Sequence, residues 1–175
     1  MRKNNLILIG MPGCGKSYIC SMLASALPDY TAIDTDKVIE KNSGMTIAEV
    51  FAKYSESYFR ELESEAILKI CTGRNKIIAT GGGTFENESN REVLMNFGTV
   101  FYLKSDIEVL YNRISQENTR PLLNCENPKQ VLKNLLNQRE HNYSKAHYVI
   151  DTDGLSPEEI VRFILGSINE TNPSR

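Results

Sequence analysis

The sequence carries no strong bias of charge: 20 lysines and arginines stand against 22 aspartates and glutamates, for a net charge of −2. Nucleic acid or an anionic membrane surface calls for an excess of basic residues, so neither is expected as a partner. A charged small molecule would have to be met by local clusters. Also missing is an apolar run long enough to cross a bilayer. The opening MRKNNLILIGMPG does place basic residues before an apolar stretch. That stretch is too short for a secretory signal and breaks into a glycine-rich turn, so it reads as a core strand. Metal-binding residues are sparse. Two histidines and four cysteines (Cys14, Cys20, Cys71, Cys125) are scattered without a C-x-x-C pair. This argues against a zinc site and against a disulfide framework. The thiols read as small, buried or half-buried groups in a reducing compartment, and a soluble cytoplasmic protein is expected.

What is present suffices for one sizeable core. The chain has 175 residues, 41% of them hydrophobic, too few for two ordinary domains. A single domain over 1–170 is expected, with a disordered tail over 171–175 and no obvious exposed apolar stripe, so a monomer is the default. Short, β-branched apolar runs at Leu6–Ile9, Thr31–Ile33, Lys76–Thr80, Val100–Leu103 and Tyr148–Ile150 suit strands buried on both faces. Segments of helical period separate them. Strand and helix alternating in this way predict a three-layer α/β domain with a mainly parallel sheet. Helix starts are marked by TIAE at Thr46–Glu49 and SDIE at Ser105–Glu108, both with capping-box spacing. Asn127–Pro128 and Ser156–Pro157 put proline at a first helical position, while Gly73 and Gly98 stand where helices should stop.

Two segments interrupt the alternation. One, about 36–70, is a mostly helical insertion between the second and third strands. The other, about 116–126, reads QENTRPLLNCE, polar and without period. Insertions that follow strands of an open sheet gather at its C-terminal rim, where ligands bind. The first is expected to house a substrate and the second to act as a mobile lid.

GMPGCGKS, Gly10–Ser17, matches G-x-x-x-x-G-K-[ST] at every fixed position and sits between an apolar strand and a helical pattern. Glycines let backbone N–H groups turn inward around phosphate oxygens at a helix N-terminus. The loop from Gly13, Cys14 and Gly15 through Lys16, Ser17 and Tyr18 is therefore expected to bind the phosphates of a nucleotide. Lys16 would reach the β- and γ-phosphates, and Ser17 would ligate Mg²⁺. Next comes AIDTDK, with Asp34 and Asp36 two residues apart. In an extended chain they would project to the same side. One of them suits an N-cap for the following helix; beside the phosphate loop, one could hold Mg²⁺ and the other accept a proton from an attacking hydroxyl.

Phe59, Leu62, Ala66 and Ile70 share one helical face, with Arg60 beside it and Glu63 one turn on. That spacing favours an ordinary surface pair of small energetic value over the sharper reading, an arginine oriented by Glu63 to grip a carboxylate. TGGG, Thr80–Gly83, ends the third strand with more flexibility than a turn requires. Close approach of backbone to a ligand explains it, and a bulged loop is the alternative. Arg120 lies in the lid segment, where it could close on the γ-phosphate. Arg113 could stack on adenine or be solvated, and Arg139 falls late in a helix, where it could simply favour the C-terminus. His141 and His147 read as structural or solvated.

Taken in order, the phosphate loop, DTD, F-x-x-x-x-E-x-x-F-R-x-x-E, GGG, RPLL and R-x-x-x-Y closely resemble the shikimate kinase family, over about Leu6 to Ile168. The resemblance implies a nucleoside-monophosphate-kinase type of fold with a five-stranded parallel sheet in the order 2-3-1-4-5. It implies transfer of phosphate from MgATP to the 3-hydroxyl of shikimate. Asp36 matches the residue that contacts this hydroxyl and is the candidate base, and Asp34 matches the one near Mg²⁺. Arg60 and Arg139 match the pair that holds the shikimate carboxylate, and Gly81, Gly82 and Gly83 match the glycines against its ring. Arg120 matches the lid arginine and Arg113 the one stacked on adenine. Asp151–Pro157, with Asp153, falls at the second adenine-contacting loop.

The chain departs from the family pattern in three places. Ser55 stands where glycine is usual before the glutamate, and could alter the turn behind Arg60. Tyr18 replaces a threonine and removes a hydroxyl contact to the α-phosphate. Thr84–Phe85 follows the glycines in place of a smaller residue. The competing readings are a kinase for another acceptor, such as gluconate or a nucleoside monophosphate, and a nucleotide-binding regulator without turnover.

Overall fold

The computed structural model describes residues 4–115 and 127–170. The expected lid with Arg120, Cys125 and the expected tail lie outside these residues. Five parallel strands form one sheet in the order β2-β3-β1-β4-β5, the arrangement that the family resemblance implied. They are β1 (Leu6–Ile9), β2 (Thr31–Asp34), β3 (Lys76–Ala79), β4 (Thr99–Lys104) and β5 (Tyr148–Asp151). The helices are α1 (Lys16–Ala26), α2 (Thr35–Ser43), α3 (Ile47–Lys53), α4 (Glu56–Ile70), α5 (Glu88–Phe97), α6 (Ile107–Ser115), α7 (Pro128–Tyr143) and α8 (Pro157–Glu170).

The central strand is the most buried part of the chain. Every residue of LILI in β1 is at most 1% exposed, and each such Leu or Ile side chain contributes about 1.5–3 kcal/mol of burial energy. Asn5 pins its start: the side-chain oxygen accepts from Lys76 N, the side-chain nitrogen donates to Phe97 O, and the carbonyl accepts from Thr99 N. The expectation of burial on both faces fails for β2 and β5, whose residues are mostly exposed or half-buried. Both are edge strands, so each has a neighbour on one side only.

Between β2 and β3 the chain builds α2, α3 and α4 around a small core of its own, Ile39, Val50, Phe59 and Ala66, distinct from the main cluster under the sheet. The Thr46–Glu49 capping box forms as expected at the start of α3. Ser156 and Glu159 exchange the equivalent bonds at α8, and Asn127 caps α7 with Pro128 next to it. SDIE does not form a box. The Ser105 hydroxyl instead meets Thr152 Oγ1 at 2.5 Å, across to the end of β5, and Asp106 bonds Glu108 N. Helix α4 stops at Ile70 with Cys71 as its cap, two residues before Gly73, whereas Gly98 does cap α5. Ser55, the first departure from the family pattern, caps α4 by accepting from Tyr58 N. Serine is a favoured cap, so this substitution supports the helix that carries Arg60.

Candidate active site

The phosphate loop runs from the end of β1 into α1. Gly15 caps α1 at φ 94°, a left-handed backbone that only glycine adopts readily. Lys16 is buried, and its ammonium lies over the loop, donating to Gly10 O and Met11 O at 2.9 Å each. Cys14 is buried with its sulfur 3.6 Å from Lys16 Nζ, while Tyr18 faces outward at 58% exposure. Arg113, at the end of α6, reaches Gly13 O at 3.5 Å.

Asp34 is the N-cap of α2. One carboxylate oxygen caps α2, accepting from Asp36 N at 3.0 Å and Lys37 N at 3.4 Å; the other accepts from the Ser17 hydroxyl at 2.6 Å. A hydroxyl and a carboxylate oxygen side by side at the phosphate loop are hard donors of the kind Mg²⁺ takes alongside substrate phosphates. Among the described residues no cluster of three or more His, Cys, Asp or Glu could hold a metal ion. The extended spacing expected for Asp34 and Asp36 is not found. The strand ends at Asp34, and Asp36 lies in the first turn of α2.

That helical turn brings DTD against GGG. The hydroxyl of Thr35, fully buried between the two aspartates, accepts from Gly81 N at 2.8 Å. A β-carbon placed on Gly81 would stand 2.9 Å from Asp36 Oδ1 and 2.8 Å from Glu63 Oε1. One on Gly82 would stand 2.8 Å from Pro12 Cδ and 3.4 Å from Arg139 Nη1. One on Gly83 would stand 2.5 Å from Arg60 Nη1. The triple glycine is therefore not a loose turn. It is the floor over which Asp36, Arg60 and Arg139 converge, beside the phosphate loop.

The surface-pair reading of Arg60 and Glu63 is corrected by the fold. Glu63 is 1% exposed, takes Arg60 Nη1 on one oxygen at 2.9 Å and the Thr84 hydroxyl on the other at 2.5 Å. Glu56 holds the second Arg60 nitrogen at 3.0 Å. Burial works against the Arg60 charge, but these two carboxylates more than offset it and hold its pKa above the ordinary arginine value. Thr84 thus turns a departure from the family pattern into a donor for Glu63. Asp153 lies beyond β5, where its carboxylate accepts from Asp106 N at 2.7 Å and ties the loops after β4 and β5 together. His147 takes a structural role as expected, accepting from Val100 N, and His141 is exposed. Cys14, Cys20 and Cys71 are free thiols, two of them buried.

Sequence reasoning gave no role to Thr35, Thr84 or Tyr143, although DTD and R-x-x-x-Y contain the first and last and Thr84 stands among the departures from the family pattern. Tyr143, fully buried, donates its hydroxyl proton to the Gly82 carbonyl. Each is a residue whose partner lies far away in the chain, so spacing gave no sign of it.

Comparison with known proteins points to one family. The family model described as shikimate kinase matches residues 12–169. The chain is 41% identical to the shikimate kinase of Thermodesulfovibrio yellowstonii over 92% of either protein. It is 40% identical to that of Caldanaerobacter subterraneus, covering 92% of this chain and 94% of the relative. Its fold superposes on a shikimate kinase from Acinetobacter baumannii, solved in complex with shikimate, with a TM-score of 0.92 at 34% identity, covering 98% of this chain and 96% of the other. The chain belongs to the shikimate kinase family.

Proposed function

We propose that this protein transfers the γ-phosphoryl group of ATP to the 3-hydroxyl of shikimate, giving shikimate 3-phosphate and ADP on the route to chorismate and the aromatic amino acids. The observation that carries this reading is the convergence of one carboxylate and two arginines, Asp36, Arg60 and Arg139, on the Gly81–Gly83 backbone. Shikimate is a small polyol acid. Arg60 and Arg139 would grip its carboxylate, and Gly81, Gly82 and Gly83 leave room for its ring to rest against backbone.

Held there, the substrate presents its hydroxyl to Asp36. As the hydroxyl oxygen forms its bond to the γ-phosphorus, the bond from phosphorus to the β–γ bridging oxygen breaks. The hydroxyl proton passes to Asp36 and ADP leaves. Lys16, released from the loop carbonyls, would meet the β- and γ-phosphates. Gly13, Cys14, Gly15, Ser17 and Tyr18 present the loop backbone to the phosphate chain. Ser17 and Asp34 would hold Mg²⁺, which offsets charge between the β- and γ-phosphates when bound. Arg113 and Asp153 flank the adenine side, and Arg120, outside the described residues, is assigned to the lid. Transfer of this type depends on positioning and charge more than on covalent catalysis.

The reading includes one domain over 1–170 with a substrate-holding insertion at about 36–70, acting as a monomer in the cytoplasm without nucleic acid or membrane partners. Among the described residues no helix is long and apolar enough to cross a membrane.

A coupled ADP-release assay with MgATP tests the activity, run with shikimate, gluconate, UMP or no acceptor. Turnover with shikimate alone is expected. Turnover with gluconate or UMP instead, or none above the acceptor-free rate, overturns it.

A further inference from the structure

Arg139 reaches the acceptor side of the site from α7, the helix between β4 and β5, whereas Asp36, Arg60 and the glycines all come from the β2–β3 half. An arginine arriving alone, on a long side chain, needs something to fix its direction. Glu63 and Glu56 do this for Arg60, and no ion pair among the described residues does it for Arg139. One turn along the same helix, at i+4, stands Tyr143.

Tyr143 meets three separate parts of the site. Its hydroxyl donates to the Gly82 carbonyl, and Arg139 Nη1 comes to the same residue, 3.4 Å from where a β-carbon on Gly82 would stand. The Arg139 charge lies near enough to the phenol oxygen to act on it. Met11 of the phosphate loop lies 3.8 Å from the hydroxyl through its sulfur. The ring is locked from behind by Tyr102, with centroids 4.9 Å apart, and Tyr102 is in turn bonded to Glu140 at 2.6 Å. A phenol is suited to this position because its oxygen accepts from a guanidinium while its proton goes to a carbonyl. Burial pushes the phenol's pKa well above its ordinary value, so this proton stays in place throughout the working pH range.

We propose that the Tyr143 hydroxyl is the positioning residue for Arg139, joining its guanidinium to the Gly82 carbonyl so that the guanidinium meets the acceptor carboxylate in one fixed direction. The proposal rests on the reading of Arg139 as a carboxylate-binding arginine. Its direct consequence is that the acceptor KM, rather than kcat or the ATP KM, responds to the hydroxyl.

The test is a double-mutant cycle with Tyr143→Phe and Arg139→Ala, measured as steady-state kinetics for shikimate and for ATP. Tyr143→Phe keeps the ring against Tyr102 and Met11 and removes only the oxygen. Expected is a rise of about tenfold in the shikimate KM, with kcat within about threefold and the ATP KM within about twofold. In the Arg139→Ala background the same change should add less than about twofold. If Tyr143→Phe leaves the shikimate KM unchanged while Arg139→Ala raises it, the proposal is overturned and the arginine assignment stands. Effects that multiply in the double variant overturn action through Arg139. If neither variant moves the shikimate KM, both the assignment and the proposal fall. A second measurement uses the unaltered protein, in case Tyr143→Phe does not fold. Nitrogen-15 spectra should show separate guanidinium Nη signals for Arg139, identified by their loss in Arg139→Lys. A single averaged, freely rotating signal overturns the proposal.

Discussion

Arg60 lies so close to Gly83 that a β-carbon on the glycine would sit 2.5 Å from one guanidinium nitrogen and 2.7 Å from the other. The Gly83 backbone itself is ordinary, at φ −101° and ψ −8°, so alanine there meets no conformational barrier. Gly83→Ala should therefore fold normally while displacing the arginine. The expected outcome is a rise of at least about tenfold in the shikimate KM with the ATP KM unchanged, since remote loss of positioning of this kind reaches about 10²-fold. Steady-state kinetics with a thermal melt would check both halves; an unchanged shikimate KM would remove Arg60 from the acceptor site.

Glu63 supports Arg60 and Thr84 from a position sealed off from water. Glu63→Gln keeps the shape but removes the charge that holds Arg60. Stability should fall by about 1–3 kcal/mol, as expected when a buried hydrogen-bonded partner is lost. The shikimate KM should rise in parallel. Urea unfolding and kinetics on the same preparation would report the two effects, and a fully stable variant with normal KM would return this pair to a decorative role.

Asp36 carries the proton in the proposed reaction, and its backbone N–H already has a partner in Asp34. Asp36→Asn should leave ATP binding intact and lower kcat by roughly 10²–10⁴-fold, the usual range for a general base. Calorimetric titration of ATP beside a turnover assay separates these. Normal turnover in this variant would eliminate Asp36 as the base.

Asp34 caps α2 and is proposed to hold Mg²⁺, and one substitution can pull the two apart. Asparagine caps a helix about as well as aspartate does, so Asp34→Asn should keep α2 and the melting temperature. Its neutral side chain is a poorer partner for a divalent cation. The Mg²⁺ concentration giving half-maximal rate should rise, and chelation of Mg²⁺ should abolish turnover in either protein. A magnesium dependence identical to that of the parent would argue that Asp34 is only a cap.

Burial pushes the Cys20 thiol from 9.0 up to about 11. The reactive thiolate is then about 100-fold scarcer than in a free thiol, before access is considered. Alkylation at pH 8, followed by peptide mass mapping, should modify Cys20 at least about 100-fold more slowly in the native protein than in denaturant. Equal rates would mean that α1 opens readily beside the phosphate loop.

How much of this was readable beforehand depended on the range over which each signal acts. The strands and the phosphate loop are written in consecutive residues, and four-residue LILI followed by GMPGCGKS needs no tertiary context to be recognised. The pairs that complete the site are not of this kind. Thr35 finds Gly81 46 positions away, Glu63 finds Thr84 21 away, and Tyr143 finds Gly82 61 away. Local spacing was also ambiguous where it did speak. Arg60 and Glu63 at i and i+3 look the same on a solvated helix and on one packed against a glycine floor. Ser105 has the spacing of a cap, yet its hydroxyl is taken by Thr152 from the far end of β5. Helix and strand propensities act over neighbours, whereas burial and partner choice are decided only once the sheet order exists.

That order, with β1 in the middle, has a consequence for descent as well as for chemistry. The groups assigned to the acceptor come almost entirely from one uninterrupted stretch, Thr35 to Thr84, while those assigned to adenine come from α6 and the loop after β5. Acceptor preference can therefore drift, or be redesigned, within that stretch without disturbing the grip on nucleotide. Arg139 is the exception, reaching across from the other half of the sheet. It ties an otherwise exchangeable segment to the lineage in which it arose.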